Sequence, residues 1–323
     1  MEILSRRNVT NWPSWHLVWE WEDIISERAG WDVILDNPIF SKPKVYKIPF
    51  LTHCLLPKDN VFMFDMTVFP DNTVRRYNSP NFYPCIIDFF LKDDELSFFE
   101  KKYNENKLIF ISSKEVYDHL MKLGISIPIK HLPLSLPDKY KLNVNTVLDK
   151  KFDAVLVGRQ NPVLKAYLID YAKKHPSFVY VVEDDREGRK FHYYTSKGDY
   201  VGYYETRSQY MELISKSRIA LYATPGIDGG EYRTNGYNQV TPKFLEYIYS
   251  GCHIIARWED NSDTDFYHIG EFSDNIQSFQ QFEMAVEKAL SEKLDMRMYS
   301  KYLENHYTSK RVELLNYYLK GIL

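Results

Sequence analysis

The chain has 323 residues, of which 44% are apolar and 26% charged, a balance that excludes a disordered chain and accommodates two domains of roughly 150 residues each. Lys and Arg number 41 against 44 Asp and Glu, a net charge of −3. There is thus no cation excess to neutralise a nucleic-acid backbone, and nucleic acid is not an expected partner.

In chain order, MEILSRRNVTNWPSWHLVWEWEDII opens the sequence without an uninterrupted apolar h-region. No later run reaches the ~18 apolar residues that cross a bilayer, so neither a leader nor a membrane span is expected. The spacing predicts a helix over 15–29. Trp12, Trp15 and Trp19 recur there at i, i+3 and i+7, a face that either packs into a core or docks on lipid headgroups or an acceptor. Short apolar runs at 32–35, 61–66 and 85–90 read as strands, followed by KLIFISS at 107–113. The segment SKEVYDHLMKLG then predicts a helix, capped by Ser112 or Ser113, with Val116, Leu120 and Leu123 on its apolar face and Gly124 as its stop. Beyond it, Pro128, Pro133 and Pro137 forbid a regular helix and leave an extended connection, which places a domain boundary near 148.

The second half alternates continuous apolar strands (152–158, 178–183, 218–224, 253–257) with helices (162–174, 207–216, 242–250). That pattern requires a parallel sheet covered on both faces. Ligands of such sheets sit outside the carboxyl ends of the strands, which selects the loops 158–165, 183–206, 224–241 and 257–268. The stretch EDDREGR at 183–189 reads as a solvated turn. The final stretch from 298 reads as helix, with apolar positions at Leu303, Tyr307, Val312, Leu315 and Tyr318. Cys54, Cys85 and Cys252 are odd in number and set in apolar runs, as reduced core thiols are, so a cytoplasmic compartment is expected.

Two constellations carry chemistry. In VGRQNPVLK a buried strand ends at Gly158, Arg159 and Lys165 follow, and Asn161-Pro162 starts a helix. Two cations beside a helix N-terminus suit a diphosphate. In YNQVTPKFLEYIYSGCHIIAR, Thr241 caps a helix, Pro242 is its first residue and Gly251 closes it. The third helical residue is Phe244, so no capping-box side chain fills this end, and the N–H of Lys243 stays available to an anion. Glu246, one turn in, can accept both O–H bonds of a ribose diol.

With these landmarks the chain resembles the retaining GT-B glycosyltransferases of the group 1 family. The resemblance is closest over about 105–260 and rests on Gly158-Arg159 with Lys165, on Glu246 before Gly251 and a buried strand, and on FISSKEVYDHLMKLGI followed by HLPLSL. It implies an α/β fold of two Rossmann-like domains facing a cleft. Residues 1–148 would form the acceptor-side domain and 149–300 the nucleotide-sugar-binding domain, and a helix in 301–323 would pack back on the first.

The resemblance further implies transfer of a hexose-like sugar, with retention, from a nucleotide diphosphate sugar to a glycan or lipid-linked acceptor. The setting it implies is cell-surface polysaccharide assembly, in the cytoplasm or peripherally on the inner membrane face. Gly158, Arg159, Lys165, Thr241, Lys243 and Glu246 would hold the donor, with Arg159 and Lys165 stabilising the leaving diphosphate. The donor is a substrate, and no separate cofactor is implied. His53 is a candidate near the anomeric carbon. Asp263 and Asp265 in SDTD match the metal motif of a different glycosyltransferase fold, and no metal is expected.

One departure stands out. Asn238 occupies the position of the family's first glutamate, which contacts the transferred sugar; Asp228 or Glu231 in PGIDGGEYRTNG would supply the carboxylate if this loop carries an insertion. Two rival readings follow, a catalytically silent nucleotide-sugar-binding partner subunit, favoured by Asn238, and a transferase of an activated polyol phosphate.

Overall fold

A computed structural model of the chain describes residues 1–36, 59–68, 70, 78–146, 148–187 and 190–322. His53 and Cys54 lie outside the described residues. The chain divides into two units, Met1–Asp138 with Tyr307–Leu323, and Lys139–His306.

The first unit is built on a six-stranded sheet ordered β2-β1-β3-β4-β5-β6, parallel throughout. Its strands are β1 (Glu2–Ser5), β2 (Asp32–Leu35), β3 (Val61–Val68), β4 (Phe82–Phe89), β5 (Ile109–Ile111) and β6 (Ile129–His131). Parallel strands covered on both faces need no polar alternation, and Val61, Phe62 and Met63 are all fully buried in succession.

Helix α1 (Pro13–Ala29) starts with proline at its first residue and ends at Gly30, which takes the left-handed conformation at φ 68°. Trp15, Trp21 and Ile25 of α1 join Phe62, Phe64 and Phe110 in the core. The indole face divides, because Trp15 is buried while Trp12 is 44% exposed. Helices α2 (Leu96–Tyr103) and α3 (Lys114–Leu123) follow; the Oγ of Ser113 caps α3 by accepting from the Val116 N–H, and Gly124 stops it. Val116 and Leu120 are buried, but Leu123 is exposed, a correction to the apolar face read from the sequence: it is the last helical residue, directly before the Gly124 stop.

In the second unit the sheet order is β10-β9-β8-β7-β11-β12. The strands are β7 (Phe152–Leu156), β8 (Tyr180–Glu187), β9 (Lys190–Thr195), β10 (Tyr200–Tyr203), β11 (Ser217–Ala223) and β12 (His253–Arg257). β8, β7, β11 and β12 are parallel, whereas β9 and β10 add on antiparallel. The segment 183–206, read from the sequence as a ligand-facing loop, is therefore largely sheet. Its Tyr-rich runs favour the pleated surface, and Tyr193 and Thr195 turn inward at every second position.

Helices α4 (Pro162–Lys174), α5 (Arg207–Ser215), α6 (Pro242–Tyr249), α7 (Ser262–Phe266), α8 (Phe279–Ser291) and α9 (Met296–Leu303) complete this unit. Leu164, Leu168 and Tyr171 of α4 and Phe282 and Val286 of α8 cover one face of the sheet through Ala154, Leu156, Ile219, Leu221 and Ile255.

The C-terminal stretch read as one helix is two. α9 ends at Leu303, and α10 (Thr308–Leu319) belongs to the first unit. There Val312, Leu315 and Leu319 enter the core with Trp15 and Trp21. Arg311 donates to the carbonyls of Pro133 (2.9 Å) and Leu134 (3.1 Å), and Thr308 Oγ1 to that of Leu136 (3.2 Å).

Candidate functional site

The carboxyl ends of β7, β11 and β12 carry most of the residues singled out from the sequence. β7 runs out at Val157, and Gly158 turns the chain at φ +65°. A Cβ at Gly158 would lie 3.0 Å from Lys243 Nζ, so glycine both permits the turn and admits the amine. Lys243 donates to the Val157 carbonyl at 2.8 Å. Burial pushes the Lys243 amine down to about 8, the nearby charge of Arg159 lowers it further, and Glu246 and Glu183 oppose both. Two cations therefore converge on Gly158.

The N-terminus of α6 is open. Thr241 stands at the cap position in extended conformation, but its side chain makes no capping bond. Its N–H donates to the Tyr222 hydroxyl at 3.0 Å, and its hydroxyl side chain also faces that phenol. Burial pushes Tyr222 up to about 12, so it stays a neutral strut between β11 and α6. Pro242 has no N–H to satisfy. The opposite holds at α4, where Asn161 Oδ1 accepts from the N–H groups of both Val163 (3.0 Å) and Leu164 (2.9 Å). At α4 the cap residue itself takes the first N–H groups, and the open end is that of α6.

Arg159 is exposed, with Nε 3.8 Å from Glu231 Oε2. Lys165 is half-buried on the first turn of α4, with no carboxylate in ion-pair reach among the described residues. Glu246 is only 4% exposed, and Arg207 donates to its Oε1 at 2.6 Å. The Arg207 guanidinium in turn lies 5.6 Å over the Tyr140 ring. The bond to Arg207 occupies one carboxylate oxygen of Glu246 and orients the other.

The loop 224–241 is a built structure. A Cβ at Gly226 would meet the Tyr237 carbonyl oxygen at 2.7 Å and Thr234 Oγ1 at 2.9 Å, so only glycine lets the loop close on itself. Asp228 adopts φ 56° and accepts from Arg257 through both oxygens, at 2.7 Å each, while Asn161 Nδ2 donates to its Oδ2 at 2.9 Å. The Arg257 bonds hold the Asp228 carboxyl below its ordinary range. Glu231 accepts from Arg233 Nε (2.8 Å) and the second Arg233 guanidinium nitrogen (2.7 Å), and these bonds pull it down to about 2. Both carboxylates are thus committed to arginines.

Asn238 is buried, and its Nδ2 donates to Glu259 Oε2 at 2.7 Å. Glu259, just beyond β12, was not singled out from the sequence. Its backbone is locked on both sides. Asn275 bonds the Trp258 N–H (3.1 Å) and carbonyl (2.8 Å), and Asn261 donates to the Asn238 carbonyl (3.2 Å) while capping α7. The exposed Glu259 carboxylate is therefore held in place. Only tertiary proximity of residues 21 apart reveals this pair, as with Arg207–Glu246 and Asp228–Arg257.

Asp263 is buried inside α7 and Asp265 is exposed, so the two carboxylates of SDTD do not converge. Among the described residues no group of three or more His, Cys, Asp or Glu side chains could hold a metal ion. Among the same residues no helix is long and apolar enough to cross a membrane.

No protein-family model matches the chain, and no curated protein does. Solved structures do. The pneumococcal O-GlcNAc transferase GtfA in complex with UDP and GlcNAc superposes with a TM-score of 0.55 at 10% identity over 86% of this chain. The DNA-modifying enzyme β-glucosyltransferase, solved with and without uridine diphosphoglucose, gives 0.52 at 13% identity over 100% of this chain and 99% of its own. AviGT4, a glycosyltransferase of avilamycin A biosynthesis, gives 0.54 at 11% identity, covering 100% and 97%. The chain has the GT-B fold. It spans 60% of the length of the pneumococcal transferase, and at these identities the likeness is one of fold.

Proposed function

We propose that the chain is a glycosyltransferase that moves a sugar from a nucleoside diphosphate sugar to a glycan or glycolipid acceptor, with retention. The observation that carries this reading is the convergence of Lys243 and Arg159 on Gly158 beside the open N-terminus of α6. A diphosphate there meets two cations and the positive end of a helix dipole. As the bond to the sugar breaks, negative charge grows on the leaving diphosphate, and those fixed charges stabilise it where it develops.

Lys165 approaches the same anion from α4. Glu246, oriented by Arg207, offers its remaining oxygen to a ribose hydroxyl. Glu259, held by Asn238, supplies a carboxylate toward the transferred sugar, while Asp228 and Glu231 brace the loop. The acceptor hydroxyl gives its proton to a donor phosphate oxygen. The fold supports the reading, since transferases of nucleotide sugars share it. The setting that fits is surface polysaccharide assembly on the inner face of the membrane.

Calorimetric titration with a panel of nucleoside diphosphates and their sugars tests it. One nucleotide should bind, with affinity lowered by Lys243→Ala and Arg159→Ala. No binding of any nucleotide by folded protein would sink the reading. Asn238 favours one other reading, a catalytically silent partner subunit, which would bind the donor and turn over no acceptor.

A further inference from the structure

The sheet of the second unit ends on β10, whose outer edge pairs with no strand among the described residues. Such an edge carries N–H and C=O groups that a further strand can pair with. On its inner side β10 meets β9, with Tyr194 opposite Tyr200, Tyr193 opposite Gly202 and His192 opposite Tyr203. The register slips between Tyr200 and Gly202, which leaves Val201 as a bulge. Gly202 takes φ +131°, a backbone conformation that L side chains rarely adopt, and a Cβ there would meet nothing within 4 Å. Glycine is thus required by the path of the chain rather than by packing. Residues three apart in a regular strand point to opposite faces. The bulge instead sets Tyr200 and Tyr203 on one face, the one opposite the buried Tyr193.

That face is a ladder of rings. Tyr194 lies 5.3 Å from Tyr200, and His192 lies 5.8 Å from Tyr200 and 5.7 Å from Tyr203. His192 Nδ1 is 3.1 Å from the Tyr200 hydroxyl, and Lys190 Nζ sits 4.6 Å over the Tyr203 ring. Ring pairs across neighbouring strands hold those strands in register. The ladder stops at Tyr200 and Tyr203, which are 53% and 40% exposed. The order of the residues restricts what continues it. A two-fold axis between Val201 and Gly202 aligns all four residues of β10 with those of a second copy, and any other centre shortens the overlap. In antiparallel pairing about that axis, Tyr200 stands opposite Tyr203 of the second copy, and Tyr203 opposite its Tyr200. Both ring pairs fall on the exposed face. Past the strand ends, the exposed Glu205 comes opposite Gly198 of the second copy, beside its exposed Lys197, while Asp199 comes opposite Tyr204. Opposite charges are thus brought together at both ends, and no like charges face each other.

We propose that β10 is a dimerisation edge: two copies of this chain pair antiparallel through Tyr200–Tyr203, joining their second-unit sheets into one and their ring ladders across the two-fold axis. The partner is a second copy because the edge is complementary to itself in both rings and charges. Four strand residues and their flanks are far fewer than the roughly 20–30 residues a side of a stable interface. The dimer is therefore weak, half formed at about 10–100 µM chain. It uses no residue of the donor site and does not depend on the glycosyltransferase reading.

The test is sedimentation velocity of the full chain from about 1 to 200 µM, with amide hydrogen exchange followed at both ends of that range. Monomer should give way to dimer as concentration rises, and exchange over residues 200–203 should slow with it. Tyr200→Glu combined with Tyr203→Glu sets two acids opposite each other and should abolish the dimer. Tyr200→Glu combined with Tyr203→Lys sets an acid opposite an amine in the same register and should keep dimer affinity within about tenfold of wild type. Both positions are exposed, so thermal unfolding of the two double variants should match the wild type. Monomer alone at the highest concentration, a dimer indifferent to the acid–acid pair, or slowed exchange confined to residues outside 200–203 would each overturn the proposal. Equal loss in both double variants would overturn it too, since pairing in this register distinguishes them.

Discussion

Lys243 is a buried amine beside a second cation, Arg159, and burial first, then that charge, lower it to about 8. A bound diphosphate reverses that balance by placing negative charge beside it. Nucleotide binding near pH 8 should therefore take up a fraction of a proton, seen as a dependence of the observed enthalpy on the ionisation heat of the buffer. Affinity should fall as pH rises through this range, because only the protonated amine attracts the anion. Lys243→Ala should abolish the proton uptake and lower affinity about tenfold or more. Glu259→Gln tests a different step. Its amide keeps a polar contact with Asn238 but loses the charge, so nucleotide affinity should hold while turnover on an acceptor drops about a hundredfold. Equal loss of both would assign Glu259 to donor binding. Gly158, Arg159 and Lys243 were legible in the sequence because strand end, proline and missing cap are local signals. Glu259 and Arg207 were not, since each acquires its meaning from a partner far along the chain.

The loop between β11 and α6 shows what the elements add to those residues. Its glycines would equally suit a floppy segment, yet Gly226 is pressed against the Tyr237 carbonyl and Asp228 is clamped by Arg257. Gly226→Ala should force the loop apart at a cost of about 1–3 kcal/mol. Asp228→Ala, which strands a guanidinium that is 8% exposed, should cost about 3 kcal/mol. Both would appear as lower midpoints in urea unfolding, and the second as loss of protease resistance in 224–241. Other elements were legible to different degrees. α3, α4 and α6 were marked by caps and prolines. β1 went unread because Ile3 and Leu4 are too short an apolar run to carry a period, although the sheet reverses on that strand. β9 and β10 were read as loop because their strand character lies in tyrosines, which composition assigns equally to surfaces and cores.

Across the whole molecule, two buried groups in the first unit set opposite pH dependences of stability. Burial raises the Glu22 carboxyl from 4.5 to about 7, against Ser5 and Arg7, while Asp23 adds to the rise. A raised carboxyl stabilises the fold fully below its unfolded value and loses that contribution as pH climbs toward 7. Burial lowers His131 from 6.5 to about 4, with Lys114 and Arg311 acting the same way and Ser112 and Asp118 opposing. A depressed histidine stabilises above its unfolded value and loses that contribution as pH falls toward 4. Each shift corresponds to roughly 3 kcal/mol, so between about pH 4.5 and 6.5 they offset each other. Five of the six tryptophans, Trp12, Trp15, Trp19, Trp21 and Trp31, lie in this unit, and their fluorescence in urea titrations reports on it. Wild-type stability should be nearly level over that window and decline above it as Glu22 ionises. Glu22→Gln should leave stability rising from about pH 4 to 6.5 and level thereafter, and His131→Asn should leave it falling from about pH 4.5 to 7. If both variants tracked the wild type, neither group would be buried as the fold places it.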